Sequence, residues 1–163
     1  MPMLFAVGRI LFVLIFIFSG ATKLMDVSGT AALIAAKFTL PPALAGFAAE
    51  AQALTGMQPP QLLAIFLGVV EIAGGLMIAF NFGTRLGAFL LILFTAVATY
   101  YVHDFWNQAD PGRTENLVHA LKNLSIIGGL LVFFALGSWR PLAEYEDYYP
   151  RHEEVLREEP MQH

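Results

Sequence analysis

Eight polar and aromatic side chains near the ends of apolar segments have the chemistry to bind a polar ligand. Lysine, histidine and asparagine side chains can donate hydrogen bonds to a ligand carbonyl, and histidine or aspartate can pass protons to it. The candidate ligand-binding residues are Lys23, Asp26, His103, Asp104, Trp106, His119, Lys122 and Asn123. Lysine and tryptophan also favour the membrane interface, so snorkelling and helix capping are the alternative interpretation of this cluster.

Lys122 is the member of this set that snorkelling explains least, because it lies about one turn inside its predicted helix. An ion pair with Asp104 or Asp26 would offset the cost of removing its charge from water. The sequence therefore predicts a polar cluster at one membrane face, with Lys122 paired inside it.

Arg9 and Glu71 lie inside apolar segments. At 1.5 Å per residue, Arg9 is about 8 Å and Glu71 about 14 Å from the same membrane side. An arginine side chain bridges such a gap, so we predict a buried Arg9–Glu71 pair that fixes two helices in register. The functional alternative is a polar wall for a ligand, or a carboxylate that handles protons.

Metal and thiol chemistry are not favoured. His103, Asp104 and His119 offer nitrogen and oxygen ligands, but they lack a compact spacing and Lys122 would oppose a cation. Haem ligation is disfavoured because both histidines lie near one membrane face rather than at mid-depth. The chain has no cysteine, which excludes disulfides and thiolate metal sites within it. We predict no metal site.

The segments that carry these residues are apolar enough for a bilayer. Of 163 residues, 57% are apolar and 13% charged, whereas ordinary soluble domains are roughly 25% charged. Ten charged side chains fall in residues 140–163, and the net charge of −4 comes from this tail. A fold of this size has too little interior to bury so much apolar surface. A water-soluble enzyme, a nucleic-acid-binding protein and a disordered chain are therefore excluded.

Four segments reach the roughly 20 residues that a membrane span requires. They are residues 3–22, 61–80, 84–102 and 117–138. Residues 81–83 form a tight turn, which makes the second and third spans antiparallel neighbours. Two Ala-rich pieces, 30–38 and 44–54, are too short to span and predict short helices broken at 39–42. The predicted fold class is all-α integral membrane, an antiparallel four-helix transmembrane bundle with short interfacial helices between spans one and two.

We assign residues 1–139 to one four-span membrane domain and residues 140–163 to a flexible acidic tail. Trp139, Arg140 and Pro141 end the fourth span as an interfacial aromatic, a basic anchor and a helix stop. No basic residue precedes Arg9, so we expect a retained first helix rather than a cleaved signal peptide. If both termini face the cytoplasm, five basic residues lie on the cytoplasmic side and four on the opposite side. This excess favours cytoplasmic termini.

The ordered features resemble the DoxX family of small four-span membrane proteins. The matching pieces are GRI at 8–10, FSGATKL at 18–24, LPP at 40–42, AAE at 48–50, EIAGGL at 71–76, TR at 84–85, HDFW at 103–106, LKNL at 121–124 and GGLL at 128–131. The resemblance covers about residues 4–138 and leaves the acidic tail unmatched. It implies a location in a bacterial plasma (inner) membrane. Members are often labelled oxidoreductases, and the family has no agreed catalytic residues to carry over, so those here stay unknown.

The resemblance favours a quinone-linked subunit of a membrane oxidoreductase or oxidative-stress complex, with quinone as the candidate cofactor. The residues beside the quinone would be Lys122, His103 and Asn123 as donors, with Tyr100, Tyr101 and Trp106 as aromatic neighbours. His103 or Asp104 would pass protons. No flavin, haem or iron–sulfur motif is visible, so we expect redox chemistry only with a bound quinone or a recruited partner.

Two other functions stay open. The first is a non-enzymatic assembly, chaperone or anchoring subunit, which glycine-lined helix faces and the acidic tail would suit. The second is a small-solute or lipid-binding transporter, although no inverted repeat or broken helix supports it. The expected partners are the lipid bilayer, redox or other membrane subunits and a second copy of the chain, but not nucleic acid.

Overall fold

In the computed structural model, which describes residues 2–138, six α-helices and two short 3-10 helices follow one another. The α-helices are α1 (Pro2–Met25), α2 (Val27–Lys37), α3 (Ala45–Thr55), α4 (Pro59–Ala79), α5 (Thr84–Val102) and α6 (Gly112–Leu136). The 3-10 helices are Pro42–Leu44 and Phe105–Asn107. The predicted tail at 140–163 and the predicted stop at 139–141 lie outside the described residues.

Four helices, α1, α4, α5 and α6, are long and apolar enough to cross a membrane. The predicted all-α integral membrane bundle is therefore confirmed, as are the short helices between the first two spans. The fourth span begins at Gly112 rather than at 117. The polar turn before the apolar segment continues the helix, and Glu115 in that first turn complements the positive end of the helix dipole.

The helices pack in the order α1, α4, α5 and α6, and α2 lies against α4. Two backbone contacts set the closest approaches. A Cβ atom added to Gly20 would lie 2.6 Å from the carbonyl oxygen of Gly68, and one added to Gly87 would lie 2.8 Å from that of Gly74. In lipid, small residues of this kind let helix backbones approach each other. The contacts therefore fix the register of α1 on α4 and of α4 on α5.

Aromatic rings connect α1 to α6. Phe12 meets Phe133 edge to face, with 5.1 Å between ring centroids. A Cβ atom added to Gly129 would lie 2.6 Å from the Phe12 ring, so the ring occupies the space that a side chain would take. Beside it lies the core of the bundle, which is formed by Val13, Phe16, Ile78, Ala88, Leu91 and Leu130.

The predicted tight turn joins α4 to α5. Asn81 and Gly83 both adopt left-handed backbone conformations, with φ of 59° and 60°. Glycine and asparagine tolerate this conformation best. The turn makes the two spans antiparallel neighbours and places Thr84 beside the end of α4, where the first polar site forms.

Candidate functional site

Arg9 connects α1 to the turn between α4 and α5. Arg9 is 2% exposed, and its guanidinium donates hydrogen bonds to three acceptors. Nε lies 2.7 Å from the Ile78 carbonyl oxygen, Nη2 lies 2.6 Å from Thr84 Oγ1, and Nη1 donates to Asn81 Oδ1. The Phe133 ring lies 5.7 Å from the guanidinium carbon. This site joins helices, and its donors are engaged by the protein itself.

The predicted Arg9–Glu71 pair is wrong, because Glu71 pairs with Lys23 instead. Arg9 lies level with Ile78, which is seven residues beyond Glu71 in α4. Seven residues correspond to about 10 Å along a helix. The close packing around Gly20 sets this register, and counting residues from the predicted helix ends could not reveal it.

Lys23 and Glu71 form a buried ion pair inside the bundle. Lys23 Nζ lies 2.8 Å from Glu71 Oε2 and donates to Ser19 Oγ at 2.7 Å. The Phe94 ring lies 5.4 Å from the same ammonium. The Glu71 side chain is 1% exposed and that of Lys23 is 22% exposed. Helical side chains point towards the helix N-terminus, so Lys23 reaches back into the bundle instead of joining the predicted cluster at the membrane face.

Asp26 is also absent from that cluster, because it caps α2. Its Oδ1 accepts a hydrogen bond from the Gly29 amide at 2.8 Å. Aspartate is a preferred residue at this position, since its side chain satisfies an amide that the helix leaves without a partner. Of the two interpretations of Asp26, helix capping is therefore the one that matches its observed contact.

His103 and His119 meet at the membrane face where α5 ends and α6 begins. Their rings are stacked, with 4.9 Å between centroids and 12° between planes. Nδ1 of His103 lies 3.1 Å from Asn116 Oδ1. Asn116 in turn donates to Gln108 Oε1 at 2.8 Å. Asn116 and Gln108 are not among the predicted residues, although both lie between the two histidines in the sequence.

Asp104 interacts with neighbours other than Lys122. Its Oδ1 accepts hydrogen bonds from Lys37 Nζ at 3.2 Å and from Gln108 Nε2 at 2.7 Å. The Trp106 ring packs on Tyr100, with 5.5 Å between centroids, and is 48% exposed. Lys37 thus connects α2 to the end of α5. The predicted ion pair of Lys122 with Asp104 or Asp26 does not form.

Asn123 connects α6 to α5. Its Nδ2 donates to Thr99 Oγ1 at 2.9 Å. The Thr99 hydroxyl in turn donates to the Thr95 carbonyl oxygen at 2.6 Å. Asn123 is therefore engaged between two helices, and its carboxamide nitrogen faces the bundle rather than a groove.

An open groove of about 610 Å³ lies along the first turns of α6. Its lining residues are Asp110, Pro111, Thr114, Glu115, Val118, His119 and Lys122. Lys122 is exposed, and within residues 2–138 it makes no ion pair or side-chain hydrogen bond. Of the eight predicted residues, His119 and Lys122 therefore line the groove. His103 stacks on His119. The part of the chain that the structure describes holds no cluster of three histidine, aspartate or glutamate residues suited to a metal ion.

Comparisons with known proteins agree with the membrane architecture. The model of the DoxX family matches residues 4–104. The inner membrane protein YphA of Escherichia coli (strain K12) is 29% identical to this chain over 136 residues, which cover 83% of this chain and 84% of YphA. No solved structure matches the chain.

Proposed function

Because this chain belongs to the DoxX family of membrane proteins, we propose that it is a quinone-linked membrane subunit that binds a quinone headgroup in the groove beside Lys122. The observation that carries the proposal is the state of Lys122. It lines an open groove at one end of a membrane span and, among the described residues, its ammonium has no protein partner. An ammonium with three available donors suits a ligand carbonyl.

Two hydrogen-bond donors and one apolar side chain of the groove support this proposal. Lys122 and His119 lie three residues apart on α6, a spacing that places their side chains on one face of the helix. They supply donors for the two carbonyl oxygens, and Val118 supplies apolar surface. A bound quinone would contribute the electron-accepting chemistry. His119, which is exposed, would hold or release the proton at its ring nitrogen.

We place the protein in a bacterial inner membrane, in line with the name of its relative YphA, with both termini in the cytoplasm. The sequence contains no cysteine to ligate an iron–sulfur cluster. Electrons would therefore reach the quinone from a partner subunit, because hard redox chemistry belongs to cofactors.

The test measures the affinity of ubiquinone-1 for the protein in lipid nanodiscs, by quenching of tryptophan fluorescence. Lys122→Met removes one charged hydrogen bond worth about 1.5 kcal/mol, so we expect affinity to fall about tenfold. Arg113→Met is the matched control, since Arg113 is an exposed cation on the same helix that does not line the groove. It should leave the affinity within about twofold. Equal affinities for the two variants would refute the site.

A second candidate function is assembly with another membrane protein through α6. In the 18-residue apolar part of α6, 11% of the residues are buried inside the described chain, whereas 33% are buried in the corresponding part of α4. The space beside Gly128 is also open, with no atom within 4 Å of an added Cβ. Native mass spectrometry in mild detergent tests this candidate. A partner subunit retained by the wild type and lost in Gly128→Trp supports assembly, and an unchanged complex excludes this face.

A further inference from the structure

The buried pair of Lys23 and Glu71 has no role in the proposed quinone site. Glu71 lies near the middle of α4, twelve residues after Pro59 and eight before Ala79. It is 1% exposed. Ionisable side chains at this depth are costly in hydrocarbon and mark ion or proton sites more often than they mark simple packing.

The pair is not needed to hold α1 on α4. The backbones already meet where Gly20 contacts Gly68, and Arg9 joins α1 to the end of α4 by its own hydrogen bonds. Replacing a buried ion pair by apolar side chains of similar volume is often neutral or stabilising. The charges of Lys23 and Glu71 therefore need an explanation other than register.

Access to the two groups is unequal. Glu71 is enclosed, whereas the side chain of Lys23 is 22% exposed and belongs to the last turn of α1. Ser19 lies beside Lys23, with its Oγ 2.7 Å from Lys23 Nζ. A proton from outside the bundle thus meets Lys23 before it reaches Glu71.

No other charged group faces the pair from the described helices around it. From α5 the neighbour is the uncharged Phe94 ring, 5.4 Å from the ammonium. The charged residues at the two ends of α2 are engaged elsewhere, Asp26 with the Gly29 amide and Lys37 with Asp104. Among the described residues, Lys23 is therefore the charged group that Glu71 contacts.

We propose that Lys23 and Glu71 form a proton-binding site within the membrane. The Lys23 ammonium transfers its proton to the Glu71 carboxylate, which leaves a neutral amine and a neutral carboxylic acid. The amine then takes a proton from water at the membrane face where α1 ends. The pair has gained one proton and one positive charge, and release follows the same steps in reverse. The site does not depend on quinone binding.

Infrared spectroscopy of the full chain in nanodiscs tests this proposal directly. Spectra are recorded in water and in deuterium oxide from about pH 9, where ordinary carboxyl groups are ionised, down to about pH 4, near the ordinary pKa of glutamate. We expect a carbonyl band of a protonated carboxyl in an apolar environment to appear on acidification. Glu71→Gln should remove the band, and Glu50→Gln, which changes an exposed carboxylate on α3, should leave it.

Lys23→Met provides a second readout. A carboxylate buried without a cation neutralises instead of staying charged, so the band should persist at alkaline pH and exchange slowly with deuterium. If Glu71→Gln does not fold, isotope labelling of glutamate in the wild type shifts the band if it belongs to a glutamate, and Glu71 is the buried glutamate among residues 2–138. A wild type without such a band over the whole range, or a band that survives in Glu71→Gln, would overturn the proposal.

Discussion

Replacing Arg9 by methionine tests whether the buried guanidinium stabilises the bundle. The change keeps an unbranched chain of similar length and removes the hydrogen bonds to Ile78, Asn81 and Thr84. It also removes the cost of burying a charge, so the net effect depends on which contribution is larger. We expect the lost hydrogen bonds to be the larger contribution, because each buried nitrogen of the guanidinium donates to an acceptor.

The magnitude follows from the three bonds. At the average of about 0.6 kcal/mol for a side-chain hydrogen bond in a membrane protein, the loss is about 2 kcal/mol. At the roughly 1.5 kcal/mol typical of bonds to charged groups, it is about 5 kcal/mol. The Ile78 carbonyl keeps a backbone partner, the Asn81 amide at 3.2 Å. We therefore expect the free energy of unfolding to fall by about 3 kcal/mol in Arg9→Met, and by about half as much in Arg9→Lys.

The assay is unfolding in mixed micelles with increasing sodium dodecyl sulfate, followed by circular dichroism. Arg113→Met serves as the control because it makes the same chemical change at an exposed position. Surface substitutions of this kind usually stay within about 0.5 kcal/mol. Equal unfolding midpoints for Arg9→Met and Arg113→Met would refute the reasoning, since the buried hydrogen bonds would then contribute nothing beyond the cost of burial.

Three further perturbations test contacts between helices by the same unfolding assay. Gly20→Ala should destabilise the bundle by about 1–3 kcal/mol, because the new methyl group meets backbone. Gly128→Ala faces open space and should be neutral or stabilise α6 by up to about 1 kcal/mol; similar losses in both variants would contradict the packing of α1 on α4. A double-mutant cycle on Lys37 and Asp104 should give a coupling below about 1 kcal/mol, because both side chains reach water, and a larger value would show that the pair is shielded. Asn123→Ala should cost about 0.6–1.5 kcal/mol through its lost bond to α5, and no loss would mean that water replaces it.

The spans and short helices were predictable because their signals are local. Segment length and hydropathy identify a membrane helix without knowledge of its neighbours. The prolines at 41 and 42 likewise predicted the break between α2 and α3, and Gly83 the turn before α5. The start of α6 was placed five residues late, because a polar turn that extends a helix beyond the apolar region resembles a loop in sequence.

The pairing of buried charges could not be predicted in the same way. Arg9 and Glu71 seemed close when their depths were counted from predicted helix ends, but the register depends on which small residues meet. The contact of Gly20 with α4 sets a different register, in which Glu71 forms its ion pair with Lys23. The role of Ser19 could not be predicted, because a serine in an apolar segment does not indicate a polar contact until its neighbours are known.

The membrane face of the cluster was predicted more successfully than its partners. Counting residues placed His103 and His119 at the same face, and the structure stacks their rings. Asn116, the partner of His103, was not predicted, since asparagine in a polar segment is common and its role follows from a contact across the loop. Residue type and depth were therefore available from sequence, whereas the identity of each hydrogen-bond partner was not.

The hydrogen bonds of Arg9 also have a consequence for the order of events during biosynthesis. Its described acceptors lie 69 to 75 residues later in the chain. At roughly 5–20 residues per second, a ribosome needs about 3–15 s to synthesise that length. During this interval the newly inserted α1 holds a cation without those acceptors, and the long side chain can reach the nearby interface for water. Stable burial of the Arg9 guanidinium must therefore wait for the hairpin of α4 and α5, which is synthesised after α1.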